Sequence, residues 1–193
     1  MSKSEPYFER FANELYDEIE GGYVDDPADR GGATNLGISL RFALQLGDYD
    51  WDGRPDLDLD RDWDVDEDDI RLLDRETATP IYHRHFWNAT SCELYSPAVA
   101  YIIFDCSVNQ GAPVARRILQ RALRVRADGA IGNKTLAAYG RAAEPWLLGR
   151  LIAKRALHYS RCVTFEEHGK GWFNRLGKIA VRATSLSIEV RGL

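Results

Sequence analysis

Ser96-Pro97-Ala98-Val99-Ala100-Tyr101-Ile102-Ile103-Phe104-Asp105-Cys106-Ser107-Val108-Asn109-Gln110-Gly111 is the stretch on which the fold turns. A proline at the first turn and a glycine after the last one are the punctuation of a helix. Between them Val99, Ala100, Ile102, Ile103, Phe104, Cys106 and Val108 leave almost no polar face. A helix apolar nearly all round must be covered on every side, so the pattern predicts a central buried helix. The purely apolar run, residues 98–104, is far too short to span a bilayer.

Working outward, most of the chain has helical periodicity. Towards the C-terminus, Val114, Ile118, Leu119, Ala122 and Leu123 face one way and Arg116, Arg117, Arg121 and Arg124 the other. Asp128-Gly129 is a turn, 134–139 a short helix, and 145–163 and 172–190 two long ones. Trp146, Trp172 and Phe173 fit their apolar faces and are expected in the core. Towards the N-terminus, Phe8, Phe11, Ala12, Leu15 and Ile19 mark a helix over 7–19 that Gly21-Gly22 stops. Residues 21–37 hold Gly and Asp-Pro turn signals and predict a hairpin or structured loop. Ser39 caps a helix to Leu46, Ile70 opens another, and Thr79-Pro80 puts a proline in the first turn of the next. The reading is mainly α with a small β-hairpin after the first helix, in one compact unit over 1–193.

The 193 residues carry a net charge of −5, with 45% hydrophobic residues, which excludes global disorder. Residues 1–100 hold 24 acids and 9 bases, whereas 101–193 hold 6 acids and 16 bases. Outside the acidic window 48–69 the chain is basic, which suits an anionic partner. No nucleic-acid motif accompanies the basic helix. The N-terminus lacks an apolar signal segment, so synthesis in the cytoplasm is expected. The three cysteines, Cys92, Cys106 and Cys162, have no metal spacing and read as inert thiols. His83, His85, His158 and His168 share no metal spacing either.

The chemistry is read in the glycine-rich stretch. Glu20 ends the first helix beside Ile19, with Gly21 and Gly22 leaving its face open. A half-buried carboxyl group there can hold its proton near neutral pH and serve as a general acid. A hairpin folding back would bring Asp29 and Thr34 opposite it, the carboxylate pair and water-holder that glycosidic hydrolysis needs. Turn or N-cap roles for Asp29 and Thr34 stand beside this reading. Asn109 and Gln110 either bind sugar amides or cap the buried helix. Tyr23 and Trp87 either stack on sugars or belong to the core.

The run Glu20-Gly21-Gly22-Tyr23-Val24, Asp26-Pro27-Ala28-Asp29 and Gly31-Gly32-Ala33-Thr34-Asn35-Leu36-Gly37-Ile38 resembles the signature of glycoside hydrolase family 108, lysozyme-like muramidases of phage endolysin type. The likeness continues in Ile81-Tyr82, Phe86-Trp87 and Phe104 to Gly111, and residues 115–138 look like the family's peptidoglycan-binding region. The resemblance implies a lysozyme-like helical globule, with a catalytic region over 8–95 and a peptidoglycan-binding-like region over 96–190. It also implies hydrolysis of the β-1,4 bond between N-acetylmuramic acid and N-acetylglucosamine. Glu20 takes the place of the family's catalytic glutamate; Asp29 and Thr34 complete the set, with Asp25 and Asp26 near enough to compete. Tyr23, Asn35, Asn109 and Gln110 are the candidate substrate contacts. An inverting, single-displacement reaction without a catalytic cofactor is expected, on bacterial peptidoglycan, by a monomer released through a permeabilised membrane of the holin type. The alternatives are a non-catalytic wall binder and a calcium-dependent interaction module.

The window 48–69 adds a metal expectation. Asp58, Asp60, Asp62, Asp66 and Asp69 fall at positions 1, 3, 5, 9 and 12 of an EF-hand-like loop. Trp63 stands at position 6, where a positive φ and hence glycine is usual. A register from Asp48 has Gly53 there instead, but Pro55 and Leu59 spoil its end. One structural Ca²⁺ on Asp58, Asp60, Asp62 and Asp69 is the expectation, and a solvated acidic loop is the alternative.

Overall fold

The computed structural model describes residues 5–18, 22–25, 32–48 and 51–192. Contacts group the chain into two compact units, Ala12–Tyr82 on one hand and Met1–Phe11 with His83–Leu193 on the other. This grouping differs from the 8–95 and 96–190 regions read from the sequence.

In the 12–82 unit the later turns of helix α1 (Phe8–Glu18) bury Ala12, Leu15 and Tyr16. Strands β1 (Thr34–Asn35) and β2 (Ile38–Ser39) form the antiparallel hairpin, with Thr34 opposite Ser39 and Asn35 opposite Ile38. Leu36 and Gly37 turn at φ 47° and 74°, the left-handed pair of a tight hairpin turn. Ser39 caps α2 (Leu40–Leu46), its Oγ accepting from Phe42 N–H at 3.3 Å.

Helix α3 (Glu67–Leu72) starts before Ile70 because Asp66 and Asp69 cap its end reciprocally. Helix α4 (Arg75–Tyr82) corrects the reading of Pro80 as a helix start. It begins at Arg75, where Asp74 Oδ1 accepts from Thr77 N–H at 2.8 Å and Thr77 Oγ1 accepts from Asp74 N–H at 3.0 Å. The Thr77 N–H and the Thr77 hydroxyl, which donates to Asp74 Oδ1 at 2.9 Å, hold the Asp74 carboxyl below the usual carboxylate range. Pro80 therefore lies inside the helix, where it has no N–H to give the Glu76 carbonyl.

The other unit is a helical bundle. After a π-helical turn (His83–Trp87) come α5 (Pro97–Gln110), α6 (Ala112–Ala122), α7 (Asn133–Arg141), α8 (Glu144–Tyr159) and α9 (Phe165–Arg191). Helix α5 packs against α6, α8 and α9, and every residue from Pro97 to Ser107 is buried. The central buried helix predicted from the apolar run is thus present, ended by Gly111 at φ 86°. Phe8, Trp87 and Phe104 meet edge to face at 5.3–5.8 Å, and Trp87 is fully buried, which settles it as core. Trp146 and Phe173, expected in the core, are 42% and 44% exposed. Cys92, Cys106 and Cys162 are free thiols, and burial pushes Cys106 up to about 12.

One charge cluster sits inside this bundle. Asp105 on α5 is wholly buried and faces Arg155 of α8 and Arg175 of α9. Arg175 donates to Oδ1 from Nε at 2.7 Å, with Nη2 at 2.6 Å. Arg155 Nη2 lies 2.6 Å from Oδ2. Burial pushes the Asp105 carboxyl up, but the two guanidinium groups outweigh it and hold it below the usual range. Removing one partner of such a cluster strands a buried charge, which costs about 3–5 kcal/mol. Asp105→Asn is therefore expected to lower unfolding stability by that order in urea titration. Because the folded pKa is depressed, the stabilisation is full above the unfolded value of about 4 and is lost as pH falls below it. Wild type should lose stability in that acid window more steeply than Asp105→Asn.

Candidate active site

Glu20 and Asp29, and the competing Asp26, lie outside the described residues. The backbone that frames them is described. Helix α1 is anchored near its C-terminal end by Tyr16, whose hydroxyl lies 3.3 Å from Thr79 Oγ1 and whose ring meets Tyr82 at 5.0 Å. Arg75 also lies over the Tyr16 ring and pairs with Asp17 at 2.7 Å. Val24 and Thr34 exchange both backbone hydrogen bonds at 2.8 Å, which ties residues 22–25 to β1.

Thr34 is half-buried on β1, and its Oγ1 donates to the Gly32 carbonyl at 3.3 Å. Asp25 is exposed. Tyr23 is half-buried under the Arg71 guanidinium at 4.6 Å, which also donates to its hydroxyl at 3.1 Å. Arg71 is held in turn by Asp68 one turn earlier on α3. Asn35 is 6% exposed, and its amide nitrogen donates to the Ile70 and Leu73 carbonyls at 3.0 Å each. Those are among the carbonyls that the end of α3 leaves without helical partners. Asn35 thus clamps α3 to the hairpin, and Tyr82 clamps the turn by donating to the Leu36 carbonyl at 2.6 Å.

Asn109 and Gln110 belong to the helical unit and join its charge cluster. Tyr159 donates its O–H to Asn109 Oδ1 at 2.6 Å and accepts from Arg155 at 3.1 Å. Gln110 Oε1 accepts from Arg155 Nε and from the Cys106 thiol, both at 3.0 Å. The end of α5 is therefore tied to α8 through these amides.

In the acidic window the carboxylates of Asp58, Asp60 and Asp69 converge within 4.8 Å, and so do those of Asp64, Asp66 and Asp69. Asp62 is in neither group; its Oδ1 accepts from Asp64 N–H at 3.1 Å. Asp58 takes N–H groups of Asp62 and Trp63 at 3.0 and 3.1 Å, and Asp69 takes those of Leu59, Asp60 and Asp66. Trp63 adopts φ 81°, the backbone expected of glycine at that position, with Arg54 over its exposed ring at 4.7 Å. Desolvation and the neighbouring carboxylates push Asp60 up, and Asp62 foremost pushes Asp64 up. Asp66, read from the sequence at position 9 of the loop, stands in the second group, whereas Asp64 was missed.

Asn35→Ala leaves the Ile70 and Leu73 carbonyls buried without a donor, at about 1–3 kcal/mol. Hydrogen exchange should show the hairpin and α3 losing protection together, while α5 keeps its own.

The glycosyl hydrolase 108 family model matches residues 14–111, and a model described as a predicted peptidoglycan domain matches residues 114–177. The solved structure of Brucella abortus SagA is similar at 32% identity and a TM-score of 0.81, covering 95% of this chain and 97% of that one. Among curated proteins no relative matches the sequence. The mainly α, lysozyme-like fold with its two-stranded hairpin agrees with these likenesses. No helix of the described residues is long and apolar enough to cross a membrane. The chain belongs to the glycosyl hydrolase 108 family, and is a peptidoglycan-hydrolysing glycosidase with peptidoglycan as its partner.

Proposed function

We propose that the chain is an endolysin-type muramidase that hydrolyses the β-1,4 bond between N-acetylmuramic acid and N-acetylglucosamine by single displacement. The observation that carries this reading is the family match over 14–111, which spans Glu20, Asp29 and Thr34 together with the hairpin that holds Thr34. In the proposed reaction Glu20 gives its proton to the glycosidic oxygen as the bond to the anomeric carbon breaks. Water, held by Thr34 and losing a proton to Asp29, attacks that carbon from the opposite face and inverts it. In this reading Tyr23 contacts the substrate, and the hydrogen bond from Arg71 to its hydroxyl supports that by fixing the side chain. Release through a permeabilised membrane and action as a monomer belong to the same proposal.

The acidic window is proposed to serve structure, holding one Ca²⁺ on Asp58, Asp60 and Asp69, with no cofactor in the chemistry. Converging oxygen donors and the positive φ of Trp63 support this reading. Calorimetric titration of calcium into chelator-treated protein should give one site and a rise in melting temperature. No heat and no rise would leave a solvated acidic loop.

Glu20→Gln keeps the shape of the side chain and removes its transferable proton, so lysis of permeabilised cells should fall by about 10²–10⁴-fold. Asp29→Asn is expected to cost nearly as much and Thr34→Ala less. Unchanged lysis by a folded Glu20→Gln protein contradicts the mechanism.

A further inference from the structure

Two clefts open on the helical unit, both walled by the turn that follows α6. One, of about 500 Å³, is lined by Gln120, Val125, Arg126, Asp128, Lys134 and Thr135 among others. The second, of about 440 Å³, is lined by Leu123, Ala138, Arg141, Ala142, Ala143 and Trp146. Residues 123–126 thus supply both, with Leu123 in one and Val125 and Arg126 in the other.

The charge around them is lopsided. Arg124, Arg126, Lys134 and Arg141 are all exposed. The acid lining the first cleft, Asp128, is already engaged: its Oδ1 accepts from Gln120 Nε2 at 2.8 Å and from Ala130 N–H at 3.0 Å. These bonds hold its carboxyl below the usual carboxylate range. Gln120 is itself buried and also takes Gly129 N–H at 2.7 Å, so the floor of the first cleft is rigid.

The exposed Trp146 ring organises the second cleft. Arg150 lies over it at 4.9 Å and caps α6, donating to the Ala122 carbonyl at 2.6 Å and the Arg121 carbonyl at 3.2 Å. Arg124 lies over the same ring at 5.7 Å and is held at φ 61°, a backbone that L residues rarely adopt. A guanidinium group poised on an aromatic face at a cleft rim keeps its N–H fork available to a carboxylate. By contrast Arg116, on the basic face of α6, is spent on the Ala89 carbonyl at 2.7 Å.

We propose that these two clefts are wall-binding subsites that take the carboxylate-bearing stem peptides of peptidoglycan. Arg124 and Arg141 receive carboxylates at the Trp146 cleft, and Arg126 and Lys134 receive them at the Gln120 cleft. The assignment rests on peptidoglycan being the substrate, and it lies within the segment matched by the peptidoglycan domain model.

Equilibrium pull-down of the full chain on purified sacculi, on ice, tests it. Arg124→Glu with Arg141→Glu, Arg126→Glu with Lys134→Glu, and Trp146→Ala are each expected to weaken binding about tenfold or more, on the scale of losing a central contact. Melting temperature checks that each variant is folded, and Arg124→Gln serves as the milder second variant. Sacculi stripped of stem peptides by an amidase should bind wild type as weakly as intact sacculi bind the variants. In 1 M salt, where the screening length is about 3 Å, binding should fall as well. Folded variants that bind like wild type overturn the proposal and leave the function standing. Undiminished binding to stripped sacculi overturns the peptide assignment. A wild-type chain that does not bind intact sacculi contradicts both this proposal and the function it rests on.

Discussion

A carboxylate buried among aliphatic and aromatic side chains constrains the helical unit more than any single apolar contact. Asp105 sits in the middle of α5, on a segment where every neighbour is buried, and is answered by Arg155 from α8 and Arg175 from α9. Apolar packing tolerates small slips of one helix along another, because its attraction has no direction. Two guanidinium groups on one carboxylate do not, since a shift of a turn would leave a buried charge alone. The same network continues through Tyr159, Asn109 and Gln110 to the end of α5. It therefore ties the end of α5 to α8.

The 12–82 unit is held on another principle. It has short elements and few apolar residues to bury, so polar side chains tie backbone to backbone. Asn35 holds the end of α3, Tyr82 holds the hairpin turn, and Asp58 and Asp69 gather N–H groups of the loop between residues 59 and 66. Carboxylates packed this closely repel one another: Asp62 foremost pushes the Asp64 carboxyl up, while desolvation and then its acidic neighbours push Asp60 up. A hydrolase that protonates its leaving group gains from a rigid frame, because the acid and the attacked bond must be held in register.

The fold was readable wherever one residue pattern dictated one local structure. The all-round apolar run from Val99 to Val108 and the Ser39 cap are of that kind. Pro80 was misread because the Asp74–Thr77 cap upstream of it governs where α4 begins, and a cap with Thr in the third place is a weak pattern. Trp146 and Phe173 were misread because helical periodicity ranks faces by hydrophobicity alone and cannot tell whether a neighbour covers them. In the site, a hairpin near Thr34 was legible from the glycines around it. The clamp role of Asn35 was not, since it depends on carbonyls more than thirty residues away in sequence. The acidic loop was legible as a cluster, but the register of its convergence, with Asp64 and Asp66 facing Asp69 while Asp62 turns aside, is set by backbone bonds.

The account stands most directly on the bond that is cut and the way it is cut. Purified sacculi digested with the protein, reduced and resolved by mass spectrometry give the answer in one experiment. The account predicts new fragments ending in reducible N-acetylmuramic acid. Fragments ending in 1,6-anhydro-muramic acid, or in reducible N-acetylglucosamine, would contradict it.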